Sequence, residues 1–262
     1  MESNFSKINI HHWIQEHGIL TESGQPIDFK DHTFLVQPYY DNSPKQVILK
    51  AAQVGFSTLA ILKTMWIAAH KKLDIIYVLP TANDVKEFVG CKTNRMITQN
   101  PILQQYVSDK DSVEQKRVLE NVVYYRGSWT ERSALMISAD LLVMDEFDRC
   151  KQEILEQYSS RLQHSKHGWQ WVFSNPSVPG MGVHKYWELS DQKHWFITCP
   201  TCKEEQYLSW PESIDVEKQI YICKECGAAL SDRDRARGRW RRKYKDRDWS
   251  GYWISLLMVP WL

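Results

Sequence analysis

Short apolar runs, rather than strict alternation, dominate the hydrophobic pattern of this chain. Val47-Ile48-Leu49, Ile75-Ile76-Tyr77-Val78-Leu79, Leu141-Leu142-Val143-Met144 and Trp169 to Phe173 each have the length and composition of strands buried on both faces. Between them lie stretches with helical patterning: LAILKTMWIAAH after Ser57-Thr58, NDVKEFVGCKTNRMITQ with Thr81 as its N-cap, and Lys151 to Gln163. A short helix is predicted from Ile8 to Glu16, ended by Gly18, and a β-rich run from Asn121 to Arg126. Ser231 is placed to cap a helix through DRDRARGRWRRKYKDRD, and Tyr252 to Leu257 reads as one more strand. This alternation predicts an α/β fold around a mainly parallel sheet covered on both faces. Such sheets bind ligands at the carboxyl ends of their strands, where Ser57, Asp145 and Ser174 fall.

Composition narrows the picture only slightly. With 262 residues, 43% hydrophobic and 25% charged, the chain has room for one large core or two modest ones. A net charge of +1 provides no global field for nucleic acid, so any such contact must come from a local patch. No stretch of about 18 apolar residues is present to span a membrane, and MESNFSKINIHHW lacks the apolar run of a secretion signal.

The chemistry concentrates in VILKAAQVGFST, Val47 to Thr58. Strand, glycine turn and helix in this order aim backbone N–H groups and a helix N-terminus at a phosphate. The stretch matches G-x-x-x-x-G-K-[ST] only in part: Lys50 stands where the first glycine belongs and Phe56 where the lysine belongs. A long ammonium can enter a phosphate site from either end of the loop, so Lys50, Ala51, Ala52, Gln53, Val54, Gly55, Phe56, Ser57 and Thr58 form a candidate nucleotide loop. The plainer alternative is a strand-turn-helix corner with a surface lysine. Gln37, in the aromatic stretch before the loop strand, is a candidate reader of the base edge, and core packing is the alternative for that stretch.

A hydrolysing site also needs a held Mg²⁺ and a group that positions water. Ser57 suits the ion, and so does Asp145 at the end of the apolar run; Glu146 is free to polarise the attacking water. Arg161 and Arg149 are candidate cations for the transition state, with structural ion pairs as the alternative, and Ser174 and Asn175 are candidate sensors of the terminal phosphate.

From about His194 the composition shifts. Cys199-Pro-Thr-Cys202 and Cys223-Lys-Glu-Cys226 have the paired-knuckle spacing of a zinc ribbon, and four thiolates would close the site to catalysis. Two redox pairs are the alternative, but the βαβ context they need is missing. Ser231 to Asp248 then carries nine Arg or Lys against four Asp, a patch that suits phosphate contact or simply a solvated face.

Taken in order, KAAQVGFST, VLPT, VMDEFD, SNPS, CPTC…CKEC and GYWISLLMVPW resemble the large terminase subunit of tailed phages, of the lambda type, over roughly residues 29–262. The resemblance implies an ATPase motor that packs double-stranded DNA into a capsid, with ATP, Mg²⁺ and Zn²⁺ as its cofactors. It implies an α/β P-loop NTPase of the additional-strand type plus a small zinc-ribbon-like insertion. In that family the loop lysine lies early, as Lys50 does; Asp145 matches the Walker B aspartate, Glu146 the catalytic glutamate, and Ser174-Asn175-Pro176 the coupling motif, usually S-T-P. The implied organisation is an ATPase domain over residues 1–193, a zinc-ribbon-like segment over 194–230, and a basic helix with a returning strand over 231–262. The implied partners are duplex DNA, a small terminase subunit, a capsid portal and further copies in a ring; the implied location is the host cytoplasm. Family members continue into a nuclease domain, and this chain stops at Pro260-Trp261-Leu262, so nuclease activity is not expected from it. Two other readings stay open: a zinc-ribbon DNA-binding module with a vestigial nucleotide site, and a helicase-like translocase.

Overall fold

The structure, a computed structural model, describes residues 9–107, 112–129 and 137–260. A seven-stranded sheet runs through it in the order β12-β1-β6-β5-β2-β4-β3. Its strands are β1 (Lys45–Lys50), β2 (Ile75–Leu79), β3 (Gln115–Val118), β4 (Asn121–Gly127), β5 (Leu141–Met144), β6 (Trp169–Ser174) and β12 (Ser250–Ile254). All neighbours pair in parallel except β3 with β4. The strand carrying the glycine loop and the strand carrying the two carboxylates therefore flank β6, which separates them by one strand spacing on each side.

Period-two alternation explains why the strands read as unbroken apolar runs. Ile48, Ile75, Tyr77, Leu141, Val143, Trp171 and Phe173 face one layer, built from α1 (Ile10–Glu16), α2 (Thr33–Tyr40), α3 (Phe56–His70) and α4 (Ala82–Phe88). Val47, Leu49, Ile76, Val78, Leu142, Met144 and Val172 face the other, with α7 (Gln152–Ser159) and α8 (Val183–Leu189). Both faces are buried, so no position on a central strand is free to be polar without a partner. Two short helices, α5 (Asn94–Gln99) and α6 (Pro101–Tyr106), close the first layer. No described helix is long and apolar enough to cross a membrane.

The remaining strands form a second, smaller assembly. β7 (His194–Thr198) pairs antiparallel with β8 (Glu205–Tyr207) and β11 (Arg239–Arg241), and β9 (Ile214–Asp215) with β10 (Ile220–Tyr221). This assembly is fastened to the large sheet. Trp195, Ile197, Cys199 and Leu230 join the same buried cluster as α2 and α3, and the Trp240 indole donates to the Phe34 carbonyl at 2.8 Å. The buried Arg235 guanidinium, on α9 (Asp232–Ala236), donates to the carbonyls of Val259 and Pro260 at 2.7 and 2.9 Å.

Several boundaries differ from the sequence reading. The first helix begins at Ile10 behind an Asn9 cap, and Ile8 lies outside the described residues, as do Trp261 and Leu262. The segment after Thr81 is not one helix: a turn of π-helix, Val89–Thr93, separates α4 from α5. The basic helix stops at Ala236, because Gly238 passes so close to Trp195 and the Phe196 carbonyl that a Cβ there would lie 2.3 Å from the indole nitrogen. The chain then turns into β11, so the basic run is divided among a helix turn, a strand and a loop. The last strand ends at Ile254, and Leu256–Met258 form a 3-10 turn.

The buried Lys63 and the half-buried Asp41 tie α2 and α3 to the amino end of the sheet. Lys63 donates to the carbonyls of Pro38 and Asp41, and the Asp41 carboxylate accepts from Ser43, Ser250 and Tyr252. Burial alone would raise the Asp41 pKa, but the Lys63 charge and these hydrogen bonds outweigh it and hold the carboxyl at about 2. A carboxyl depressed in the folded state stabilises above its unfolded pKa and loses that contribution as pH falls through its folded one. Asp41→Asn should therefore cost ~2 kcal/mol at pH 5, a deficit that shrinks towards zero by about pH 2. Urea unfolding across that range checks this; a deficit independent of pH would contradict it.

Candidate active site

At the carboxyl end of β1 the chain leaves the sheet through Ala51, Ala52, Gln53 and Val54, with the Ala51 N–H held by Ile254 of the neighbouring strand at 2.9 Å. Gln53 (φ 58°) and Gly55 (φ 76°) take left-handed backbone conformations that fold the loop tightly before α3 begins at Phe56. Phe56, Ser57 and Thr58 are the first three residues of that helix, so their N–H groups have no partner within it and point out of its positive end. Phe56, standing where the usual loop motif has its lysine, is buried edge-on against Phe173.

Lys50 is the last residue of β1, and its side chain reaches across β6 to the end of β5. Its ammonium lies 2.6 Å from Glu146 Oε1 and 3.4 Å from Asp145 Oδ1. Burial pulls the Lys50 pKa down, but the two carboxylates outweigh it and hold the group above its ordinary value, so it is charged throughout the neutral range. Tyr77, wholly buried on the adjacent β2, donates its hydroxyl to Asp145 Oδ2 at 2.7 Å. Burial, then the Asp145 charge, push the Tyr77 pKa well up, so the phenol stays a donor. Glu146 itself has left-handed backbone (φ 51°), a conformation that costs a non-glycine residue about 1 kcal/mol, and its carboxylate meets the same Lys50 ammonium as that of Asp145. The Cys150 thiol, pushed up to about 12 by burial, sits under the turn against the carbonyls of Asp145 and Glu146.

Two clefts open beside the loop. One, of about 320 Å³, is lined by Glu22, Gln25, Phe29, His32, Leu35, Gly55 and Thr58. Thr58 donates to Glu22 at 3.1 Å, tying the loop helix to the chain segment that covers it. Burial lowers the His32 pKa against the opposing pull of Asp31 and Asp28, leaving a neutral ring beside the loop near pH 7. The other, of about 510 Å³, is lined by Ser57, Asp84, Glu87, Lys92, Asp145, Glu146 and Arg149.

The structure does not bring Gln37 or Arg161 to either cleft. The start of α2 reaches the loop, through His32 and Leu35, while Gln37 lies further along the helix and faces Tyr40, Asp41 and Arg242. Arg161 lies in a 3-10 turn whose carbonyl meets Ala139, before the amino end of β5, so the sheet separates it from Glu146. Arg149 is the arginine that reaches the carboxylate cleft. Ser174 ends β6 between the loop and the carboxylates, and its hydroxyl accepts from the Asp148 N–H at 3.2 Å; Asn175 is exposed just beyond. Among functional groups that the sequence reading missed, Tyr77 had a legible signal, a lone hydroxyl in an apolar strand that requires a buried partner. Glu22, His32 and Lys92 arrive through tertiary contact and had none.

The sulfurs of Cys199, Cys202, Cys223 and Cys226 lie within 4.8 Å of one another. The Gln206 amide donates to Cys223 Sγ at 2.8 Å and, in spite of burial, helps hold that thiol below its ordinary pKa, while at Cys202 the lowering pull of the Glu204 N–H is outweighed by burial and the neighbouring sulfurs, which push it up to about 12. Four sulfurs at this separation suit one tetrahedral cation, which would stabilise all four as thiolates.

Around the loop, the donor set fits a magnesium–nucleotide complex: a helix N-terminus and a buried ammonium for phosphate, a hydroxyl and a carboxylate for the ion, and a second carboxylate beyond them. Comparison with known proteins agrees with this geometry. Residues 40–242 match the family model of the phage terminase large subunit gpA, ATPase domain. The chain belongs to that family. It is 22% identical over 222 residues to the terminase large subunit of Enterobacteria phage P21, covering 74% of this chain but only 34% of that protein. Its fold is similar to that of the HK97 bacteriophage large terminase (TM-score 0.57, 16% identity, 68% of this chain and 40% of that one). It is also similar to the large terminase ATPase domain of Thermus phage P74-26 (TM-score 0.53, 9% identity, 91% and 84%). The fold is thus that of an α/β P-loop NTPase.

Gly55 tests whether the loop needs its left-handed turn. A Cβ there would meet His32 at 3.2 Å and Leu35 at 3.3 Å, in a conformation that L side chains rarely adopt. Gly55→Ala should lower the unfolding free energy in urea by about 1–2 kcal/mol. An unchanged value would show that the turn is not required.

Proposed function

We propose that this chain is the ATP-hydrolysing portion of a terminase large subunit, a motor that moves double-stranded DNA into a capsid. The observation that carries the reading is the convergence of Lys50, Ser57, Asp145 and Glu146 at the carboxyl edge of neighbouring strands, in a chain of this family. A vestigial site would not need to hold all four together. Lys50 and the first turn of α3 neutralise the phosphates, and Ser57 with Asp145 holds Mg²⁺. Bound magnesium supplies charge neutralisation for the developing transition state. Glu146 orients the attacking water and accepts its proton. The base enters the cleft between His32, Leu35 and Gly55, a role for the covering segment rather than for Gln37. Arg149 replaces Arg161 as the candidate cation within the subunit. Ser174 joins the γ-phosphate side to the carboxylate turn through Asp148, which makes it the candidate coupling contact.

The four cysteines hold a structural zinc that fixes the small assembly on the ATPase body. Arg242, Lys243 and Lys245, exposed beyond the Arg239 and Arg241 side chains that pair with Glu205, form a basic face suited to DNA phosphates. On this reading the remaining partners are a small terminase subunit, a capsid portal and further copies in a ring, working in the host cytoplasm.

Glu146→Gln should reduce turnover by about 10²–10⁴-fold while Mg·ATP affinity stays within a few-fold, as titration calorimetry beside a phosphate-release assay would show. Undiminished hydrolysis would overturn the assignment. Metal analysis should find one zinc per chain, and Cys199→Ser should lose it and lower the melting temperature. An unchanged melt after verified metal loss would contradict a structural zinc.

A further inference from the structure

Ser57, the hydroxyl placed to hold the divalent ion, already has a partner. Lys92 Nζ donates to Ser57 Oγ at 3.0 Å. Lys92 comes from neither the glycine loop nor the carboxylate turn. It lies on the π-helical turn Val89–Thr93, between α4 and α5. Single π turns within helices are rare and recur at functional sites, because the inserted residue redirects a side chain. Here the redirected side chain enters the carboxylate cleft, beside Asp145, Glu146 and Arg149. Among the described residues Lys92 makes no ion pair, and its other contact is with the Phe88 ring, 5.9 Å from the ammonium to the centroid.

An ammonium and a divalent cation cannot share the Ser57 oxygen at these distances; their repulsion in a half-buried cleft is strong. Ion binding at Ser57 must therefore displace Lys92. Few anionic partners remain for it within the cleft. Asp84 is committed to the capping box at Thr81 and Lys50 holds Asp145 and Glu146, which leaves Glu87, on α4, as the one other carboxylate among the described residues lining the cleft. The anion that arrives with the ion is the terminal phosphate.

We propose that Lys92 is a second phosphate-facing cation of this site. It is held on Ser57 in the nucleotide-free protein and transfers to the terminal phosphate when the magnesium–nucleotide complex binds, so that the π turn joining α4 and α5 registers a triphosphate. The proposal rests on the nucleotide-site reading above, and the test separates the two. Titration calorimetry measures Mg·ATP and Mg·ADP affinity for the wild type, Lys92→Met, Lys92→Arg and, as an exposed control on the same arm, Lys86→Met. Lys92→Met should weaken Mg·ATP by about tenfold or more and Mg·ADP by less than about twofold. Lys92→Arg should recover most of the loss, and Lys86→Met should match the wild type. Equal weakening of both nucleotides, no weakening, or an equal effect at Lys86 would overturn the role of Lys92 while leaving the nucleotide site intact. A wild type that binds neither nucleotide would overturn both.

Discussion

The Lys50 ammonium, buried between Asp145 and Glu146, is the interaction on which the rest of the site depends. Three charges are held at the edge of an apolar sheet, and removing one partner from a buried pair typically costs about 3–5 kcal/mol. Strand order makes the contact possible. Lys50 ends β1, Asp145 follows β5, and β6 between them ends in the small Ser174, over which the lysine can reach. Parallel pairing then places all these groups at one edge. The same ion pair makes the nucleotide-free site self-satisfied, with Lys50 on the carboxylates and Lys92 on Ser57. Phosphate and a divalent ion would replace both contacts at once. Binding is thus an exchange of partners rather than the filling of a bare pocket, so the site cannot respond to the nucleotide without moving side chains on three elements.

The small assembly follows a different logic. It has little core of its own and leans on the ATPase body through Trp195, Trp240 and the buried guanidinium of Arg235, whose acceptors lie beyond β12. β12 pairs directly with the loop strand, so the cysteine cluster and the glycine loop are joined through one strand. The separate segments suggested by composition are interleaved in space.

Much of this was legible in the sequence because the central strands are buried on both faces. Their apolar runs, and the residues following them, located Lys50, Ser57, Asp145, Glu146 and Ser174 at one edge, and the cysteine spacing brought four sulfurs together. Gln37 and Arg161 lie off both clefts for a common reason. Sequence distance along a helix does not say which end of the sheet that helix meets, and both residues lie away from the carboxyl edge. The long basic helix failed at Gly238, whose close approach to Trp195 is a tertiary demand with no local periodic signal. Lys92 was hidden because an α-helical reading of its segment aims its side chain differently from the π turn that is present.

If these converging groups form a working motor site, the chain turns over ATP. The most direct measurement is steady-state hydrolysis of Mg·ATP by the purified chain, with and without double-stranded DNA. Magnesium-dependent turnover that duplex DNA increases is the expected result. A chain that neither binds nor hydrolyses ATP under any of these conditions would contradict it.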